Sequence, residues 1–306
     1  MVAGVITTGN HPKLLWPGIH AVWGQTYAEH NMEYVDLYDV ESSSQAYEED
    51  VQVTPFGLAS AKAEGAPVSY DSEVQGPTTR YTHIAYALGY KVTYEELQDN
   101  LYEVVSMRRA KSNAFSMYQT IENVAAAVYN DAFTGAIFVG ADGQSLCSTA
   151  HPNTTGGTYS NALNPAADLA EASLEDACIQ LMGFQNDRGL LVNVMPVSLH
   201  IPRQEWFNAN RILKSVLQSG TGNNDINVLK ATNAFPGGIK LNHYFTSPHA
   251  WFIRTNCMNG MTMFWREKPG FDQDNDFDTK NAKAVAYMRF SVGNTDPRAV
   301  LGSNGP

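Results

Sequence analysis

From Thr93 onward the apolar positions fall on one face of a helix. Leu97, Leu101, Val104, Val105, Ala114, Phe115, Tyr118, Ile121, Val124, Ala125 and Val128 recur mostly at helical spacing. Thr93 and Glu96 form a capping box at the start, and Gly135 is placed to stop the helix. The spacing predicts a helix over 93–133, about 40 residues and roughly 60 Å long. Arg108 and Lys111 interrupt the seam that a coiled coil would need, so the helix is expected to back a sheet.

Elsewhere the period is shorter. EYVDLYDV, 33–40, alternates apolar and polar residues and reads as a strand, as does RYTHIAYALGYKVT, 80–93. Between them Pro55, Gly57, Gly65, Pro67, Gly76 and Pro77 break the chain, which predicts a projecting hairpin or flexible loop over 52–80. LEDACIQLMGFQN reads as a helix and LLVNVMPVSLHI as a buried strand. Pro202 opens a further helix, QEWFNANRILKSVLQ. GGIKLNHYF suggests a short strand, 251–266 alternates like a hairpin, and AVAYMRFSV, 284–292, is a strand. Residues 1–30, with isolated Trp16 and Trp23, read as an extended arm or a short helix near 18–30.

Composition narrows the function classes. Twenty Lys and Arg stand against 31 Asp and Glu, giving a net charge of −11, with no basic run longer than Arg108-Arg109. Such a chain is poorly suited to gripping phosphates. Cys147, Cys178 and Cys257 are widely spaced and odd in number, which argues against a disulfide framework and for a reducing compartment. The first residues lack the charged and apolar regions of a signal peptide, and no stretch approaches 18 apolar residues. Only 17% of residues are charged, which suits either a large core or burial against partner subunits.

Candidate chemistry is sparse. DGQSLCSTAHP, 142–152, brings Asp142, Ser145, Cys147, Ser148 and His151 into one loop. A cysteine nucleophile needs a base in contact and an oriented third group, and zinc needs three or four ligands. The lone C-x₃-H spacing supplies neither, so a packed turn is the expectation and a Cys/His hydrolase the rival. DQDNDFD, 272–278, imitates a calcium loop, but Phe277 stands where glycine is needed and Lys283 where a bidentate Glu is needed. It reads as a solvated hairpin tip. SGTGNN, 219–224, follows a helix instead of leading into one, so it is no phosphate loop. His243 and His249 read as polar surface. No catalytic residue, cofactor or metal ligand is predicted.

Five segments taken in order carry a resemblance: YKVTYEELQDNLYEVV, DGQSLCSTAHP, PVSLHIPRQEWFNANRILKS with NNDINVLK, WFIRTN with FWRE, and RFSVGNTDPRAVLGSNG. Together they resemble the major capsid protein of tailed bacteriophages, with the Hong Kong 97 fold, and in particular its Mu-like major head subunit group. The resemblance implies an α+β fold with an N-arm at 1–30 and an extended loop at 51–80. A peripheral domain would take 31–50 and 81–140, including the spine helix 93–133. An axial domain would take 141–250, and 251–306 would hold return strands of the peripheral domain and the C-terminus.

The implied function is a head protein that self-assembles into pentamers and hexamers of an icosahedral shell enclosing double-stranded DNA. A separate scaffolding protein and a portal are implied partners, with assembly in the host cytoplasm. An encapsulin-type protein shell is the alternative on the same fold. Trp16, Trp23, Phe56, Leu58, Lys62, Glu64 and Arg80 are the candidate inter-subunit contacts. Some members of the fold join a loop lysine to a neighbour's asparagine. Lys62 is the only loop candidate, and its small polar surroundings predict a non-covalent shell.

Overall fold

In the computed structural model, residues 16–93, 95, 102–217, 225–276, 278 and 281–305 are described. Two four-stranded sheets share the chain. The first has the order β1 (Asp39–Ser42), β10 (Met261–Asn275), β11 (Ala282–Asn294), β4 (Ile84–Val92), parallel at β1–β10 and antiparallel elsewhere. The long β10–β11 hairpin runs in register from Met261↔Asn294 to Asn275↔Ala282, with shifts only between Trp265 and Gly270. Pro269 lies in that interval and has no N–H to give the ladder. At the far end Lys283 reaches back to Asp276 at 2.6 Å, just past the last ladder pair, Asn275↔Ala282.

The spine helix α3 (Tyr102–Asn130) lies across this sheet. Ala110, Ala114, Met117, Ile121, Ala125 and Val128 form its buried stripe and pack with Phe271, Met288 and Phe290. The described part, Tyr102–Asn130, spans about 43 Å. The proposed capping residue Glu96 lies outside the described residues. Gly135 does take the left-handed conformation, φ +60, five residues past the last helical position, and its N–H bonds to the Asp131 carbonyl.

The second sheet has the order β12 (Val300–Asn304), β9 (Ala250–Thr255), β7 (Pro196–Pro202), β8 (Gly238–Asn242), with β7–β8 parallel. α4 (Glu171–Met182) and α5 (Trp206–Lys214) cover one face, and Leu174, Leu181, Leu199, Ile201, Ala209 and Trp251 fill the core between them. SGTGNN lies outside the described residues. A separate two-stranded ribbon, β2 (Tyr47–Val53) with β3 (Gln75–Thr82), carries the breaker-rich 54–74 at its end.

Four expectations need correction. EYVDLYDV is a helical turn, α2 (Tyr34–Leu37), before β1 begins at Asp39. Tyr34, Leu37 and Tyr38 point at the spine at helical spacing: Tyr38 donates to the Ala125 carbonyl at 2.7 Å, and Tyr129 donates to the Leu37 carbonyl at 3.0 Å. The stretch 251–266 is not a hairpin, because β9 pairs in one sheet and β10 in the other. For the same reason 251–306 does not belong wholly to the spine sheet: β9 and β12 join β7, where Trp251, Ile253 and Leu301 complete the second core.

The fourth correction concerns the arm that the resemblance sends to a neighbour, while the short helix expected near 18–30 is borne out. Residues 16–29 form a helix, α1 (Trp16–Glu29), docked on the spine of the same chain. Trp23, expected at a subunit contact, is buried at home. Its indole N–H donates to Asn113 Oδ1 at 2.9 Å, and its ring stacks on Tyr27 and Phe271. Residues 1–15 and the Trp16 side chain lie outside the described residues.

Candidate functional site

The loop 142–152 is a packed junction. Asp131, at the end of the spine, starts it: its carboxylate accepts the backbone N–H groups of Ala136, Ile137 and Phe138 at 3.0, 2.7 and 2.7 Å, and the Thr134 hydroxyl. Burial would raise its pKa, but these donors hold it down to about 2. The chain is thereby turned toward Leu146 and Cys147, both buried.

Cys147 and His151 do not form a nucleophile–base pair. Both ring nitrogens of His151 are taken, Nδ1 by Asp142 at 2.5 Å and Nε2 by Asn161 Oδ1 at 2.9 Å. Its ring stacks on Tyr159, and the Arg298 guanidinium lies over the Tyr159 ring, 4.3 Å from its centroid. Burial pushes the Cys147 thiol far above its ordinary value, the reverse of what a thiolate nucleophile needs. A Cβ added at Gly302 would sit 2.8 Å from the Cys147 sulfur and 2.7 Å from Phe252, so β12 passes the thiol at close range. Cys147 is thus a core residue. Cys147→Ser is expected to cost about 1–2 kcal/mol in chemical denaturation and to remove no turnover. Thiol-dependent hydrolysis that disappears in this variant would refute the reading. Among the described residues no cluster of His, Cys, Asp and Glu is arranged to hold a metal ion.

Asn161 organises the junction, and the motif reading missed it. Wholly buried, it donates through Nδ2 to the carbonyls of Leu146, Pro297 and Val300 at 2.7, 2.9 and 3.0 Å, and accepts from Ser148 N–H at 2.8 Å. It ties the loop leaving the spine to the chain leading into β12. No local spacing could have signalled contacts about 140 residues apart in sequence.

Two surfaces that face away from the chain's own core carry exposed apolar side chains. On the 54–74 excursion Phe56, Leu58, Val68, Tyr70 and Val74 are exposed, Leu58 by 82% and Tyr70 by 96%. Lys62 and Glu64 are also exposed there. Arg80, farther down the ribbon, already has partners in the ribbon itself: Glu49 at 3.8 Å and the Tyr47 ring at 3.7 Å. The excursion is pinned by Asp71. Its carboxylate accepts Gly57 N–H at 2.8 Å, bracing the two limbs, and Arg188 of the second sheet's loops at 2.9 and 3.1 Å. The N–H groups of Gly57 and Ser72, with the guanidinium, hold the Asp71 carboxyl below its usual range. A second apolar surface is a groove of about 690 Å³ beside α4, lined by Ile179, Met182, Met195 and Val228.

A family model described as phage capsid protein matches residues 76–302. No curated protein matches the chain. Among solved structures, a virus-like particle from Pyrococcus furiosus is similar at 11% identity and a TM-score of 0.53, over 94% of this chain and 98% of that one. A chain of Mycobacterium phage Che8 is similar at 12% identity and 0.53, over 90% and 93%. The capsid of Myoviridae phage XM1 is similar at 12% identity and 0.51, over 90% of this chain and 92% of that one. At these identities the likeness speaks for the fold, and the family match speaks for the family. The spine helix across its sheet, the ribbon with its long excursion and the second sheet are the Hong Kong 97 fold. The chain belongs to the phage capsid protein family, and it is a major capsid protein, a building unit of an icosahedral shell.

Proposed function

We propose that this capsid protein forms pentamers and hexamers that close around double-stranded DNA, with the ribbon and its excursion, 51–80, lying over an adjacent copy. The observation that carries this reading is the excursion itself: five large apolar side chains stand in solvent on a segment with few backbone hydrogen bonds of its own. Burying them requires another surface, and contacts of this heterologous kind close into rings. The second sheet with its helices would be the axial domain, including β9 and β12, and the spine with its sheet the peripheral domain. The net charge of −11 suits enclosure of DNA without gripping it. A separate scaffolding protein, a portal and assembly in the host cytoplasm complete the proposal, as the resemblance implies. Phe56, Leu58, Lys62 and Glu64 remain its inter-subunit candidates, with Arg80 shared between the ribbon and a neighbour.

The test is to purify the chain expressed with its scaffold and examine it by negative-stain microscopy. Rings or closed shells are expected, and boiled particles should migrate near the 33.6 kDa chain mass. A monodisperse monomer at high concentration with scaffold supplied would overturn the proposal. Particles from infected cells should hold nuclease-resistant DNA; protein cargo in its place would favour the encapsulin-type reading.

The excursion should be the first segment cut by protease in the unassembled chain and be protected in shells. Arg188→Ala removes its clamp, so cutting between 54 and 74 should speed up about three- to tenfold in the free chain. Equal cleavage rates with and without Arg188, measured by mass spectrometry of the fragments, would refute the clamp.

A further inference from the structure

Glu122 sits on the spine helix and is completely buried. One oxygen, Oε1, accepts the backbone N–H of Glu33 at 2.8 Å. The other, Oε2, is buried without a hydrogen-bond partner. This carboxyl lies where three parts of the chain meet: the α1–α2 junction, the spine, and the turn after β8. Facing it are Tyr27 from α1, Glu33, Tyr34 and Asp36 from the junction and α2, and Tyr118 and Tyr244 from the spine and the turn. His30 stacks on Tyr118 with ring centroids 4.7 Å apart, and Tyr118 donates to the Asn31 carbonyl at 2.9 Å. The cationic groups nearby are engaged elsewhere: Lys240 pairs with Asp36 at 2.9 Å, and His243 holds Glu33 through its backbone N–H at 2.9 Å and through Nδ1.

An ionised carboxylate with one unpaired oxygen, two like charges close by and no cation of its own among the described residues is costly inside a protein. A neutral carboxyl costs far less. Removing the junction residues would give the carboxylate back to water. We propose that Glu122 is a proton-operated catch on the spine: when protonated it lets residues 30–37 stay seated, and when ionised it drives that junction to open.

Burial, helped by the Glu33 and Asp36 charges and opposed by the bonded Glu33 N–H and the nearby Tyr34 N–H dipole, lifts the Glu122 carboxyl to about 7. The group binds its proton more tightly when seated than when open. Its contribution to seating is therefore fully present below about 4.5 and is lost as pH rises through about 7.

Hydrogen exchange on the unassembled full-length chain tests this without reference to shells. The opening constant for the amides of residues 30–37, corrected for intrinsic exchange, should rise roughly fiftyfold between about pH 5 and about pH 8. In Glu122→Gln, which keeps the shape and cannot ionise, the rise should shrink to within about threefold. Glu33→Gln, which removes the nearer like charge, should move the wild-type midpoint to lower pH. An opening constant in the wild type that ignores pH, or a Glu122→Gln chain that keeps the wild-type dependence, would overturn the proposal. Should that variant fail to fold, the wild-type series and the direction of the Glu33→Gln shift still decide it: no rise, or an unmoved midpoint, counts against.

Discussion

Asn161→Ala should destabilise the unassembled chain by about 3–5 kcal/mol, among the largest effects a single change can have here. The residue has no exposure, so its partners cannot turn to water when it is removed. Three carbonyls lose a donor, Ser148 N–H loses its acceptor, and His151 loses the group that faces Nε2. Each buried group left unmatched costs about 1–3 kcal/mol, and some relaxation recovers part of it. In a chain of this size the change amounts to a melting temperature lower by about 5–10 °C. Asn161→Asp keeps the acceptor and loses both donors, so it should also be damaging. A loss below about 1 kcal/mol for the alanine variant, measured by denaturant unfolding, would mean that the junction is held by the packing of Leu146 and Cys147 alone.

Trp23→Ala should cost about 3–5 kcal/mol, again in the unassembled chain. The indole is sandwiched between Tyr27 and Phe271 and bonded to Asn113, whose own amide donates to the Leu88 carbonyl at 2.9 Å. Removing it opens a cavity under α1 and strands the Asn113 oxygen. Trp23→Phe keeps the stacking and loses only the N–H, so about 1–2 kcal/mol is expected. A tryptophan on an arm that reached a neighbour would behave differently. Its alanine variant would fold and melt like the parent chain and fail only in assembly. Circular dichroism melts of the monomer or capsomer therefore separate a docked helix from a reaching arm.

The spine was legible because its apolar stripe repeats over many turns, and a stripe of that length has few other solutions. The ribbon was legible from its breakers, since six Gly and Pro residues between 55 and 77 leave little else possible. What escaped reading was decided by partners far away in sequence. EYVDLYDV satisfies a strand period, but the two tyrosine hydroxyls that fasten it bond across 87 and 92 residues, and they select a helical turn. The strands at 250–255 and 261–275 alternate alike, and only the two cores decide that they part company. The DGQSLCSTAHP spacing predicts a packed turn, and the reason it is one, Asn161, lies outside the motif. Glu122 gave no signal, because a glutamate on a helix is ordinarily a solvated residue.

Strand β9 presents Phe252 to the core around the spine and Trp251 and Ile253 to the core beneath α4 and α5. It is one wall shared by two rooms, and neither sheet can be re-angled without disturbing the packing of the other. A closed shell must curve more sharply at its vertices than on its faces, and copies of one chain must serve both places. With β9 as a common wall, each copy behaves as a stiff tile. On the proposed assembly the change of curvature then falls to the tile's edges, the ribbon 47–82 first among them.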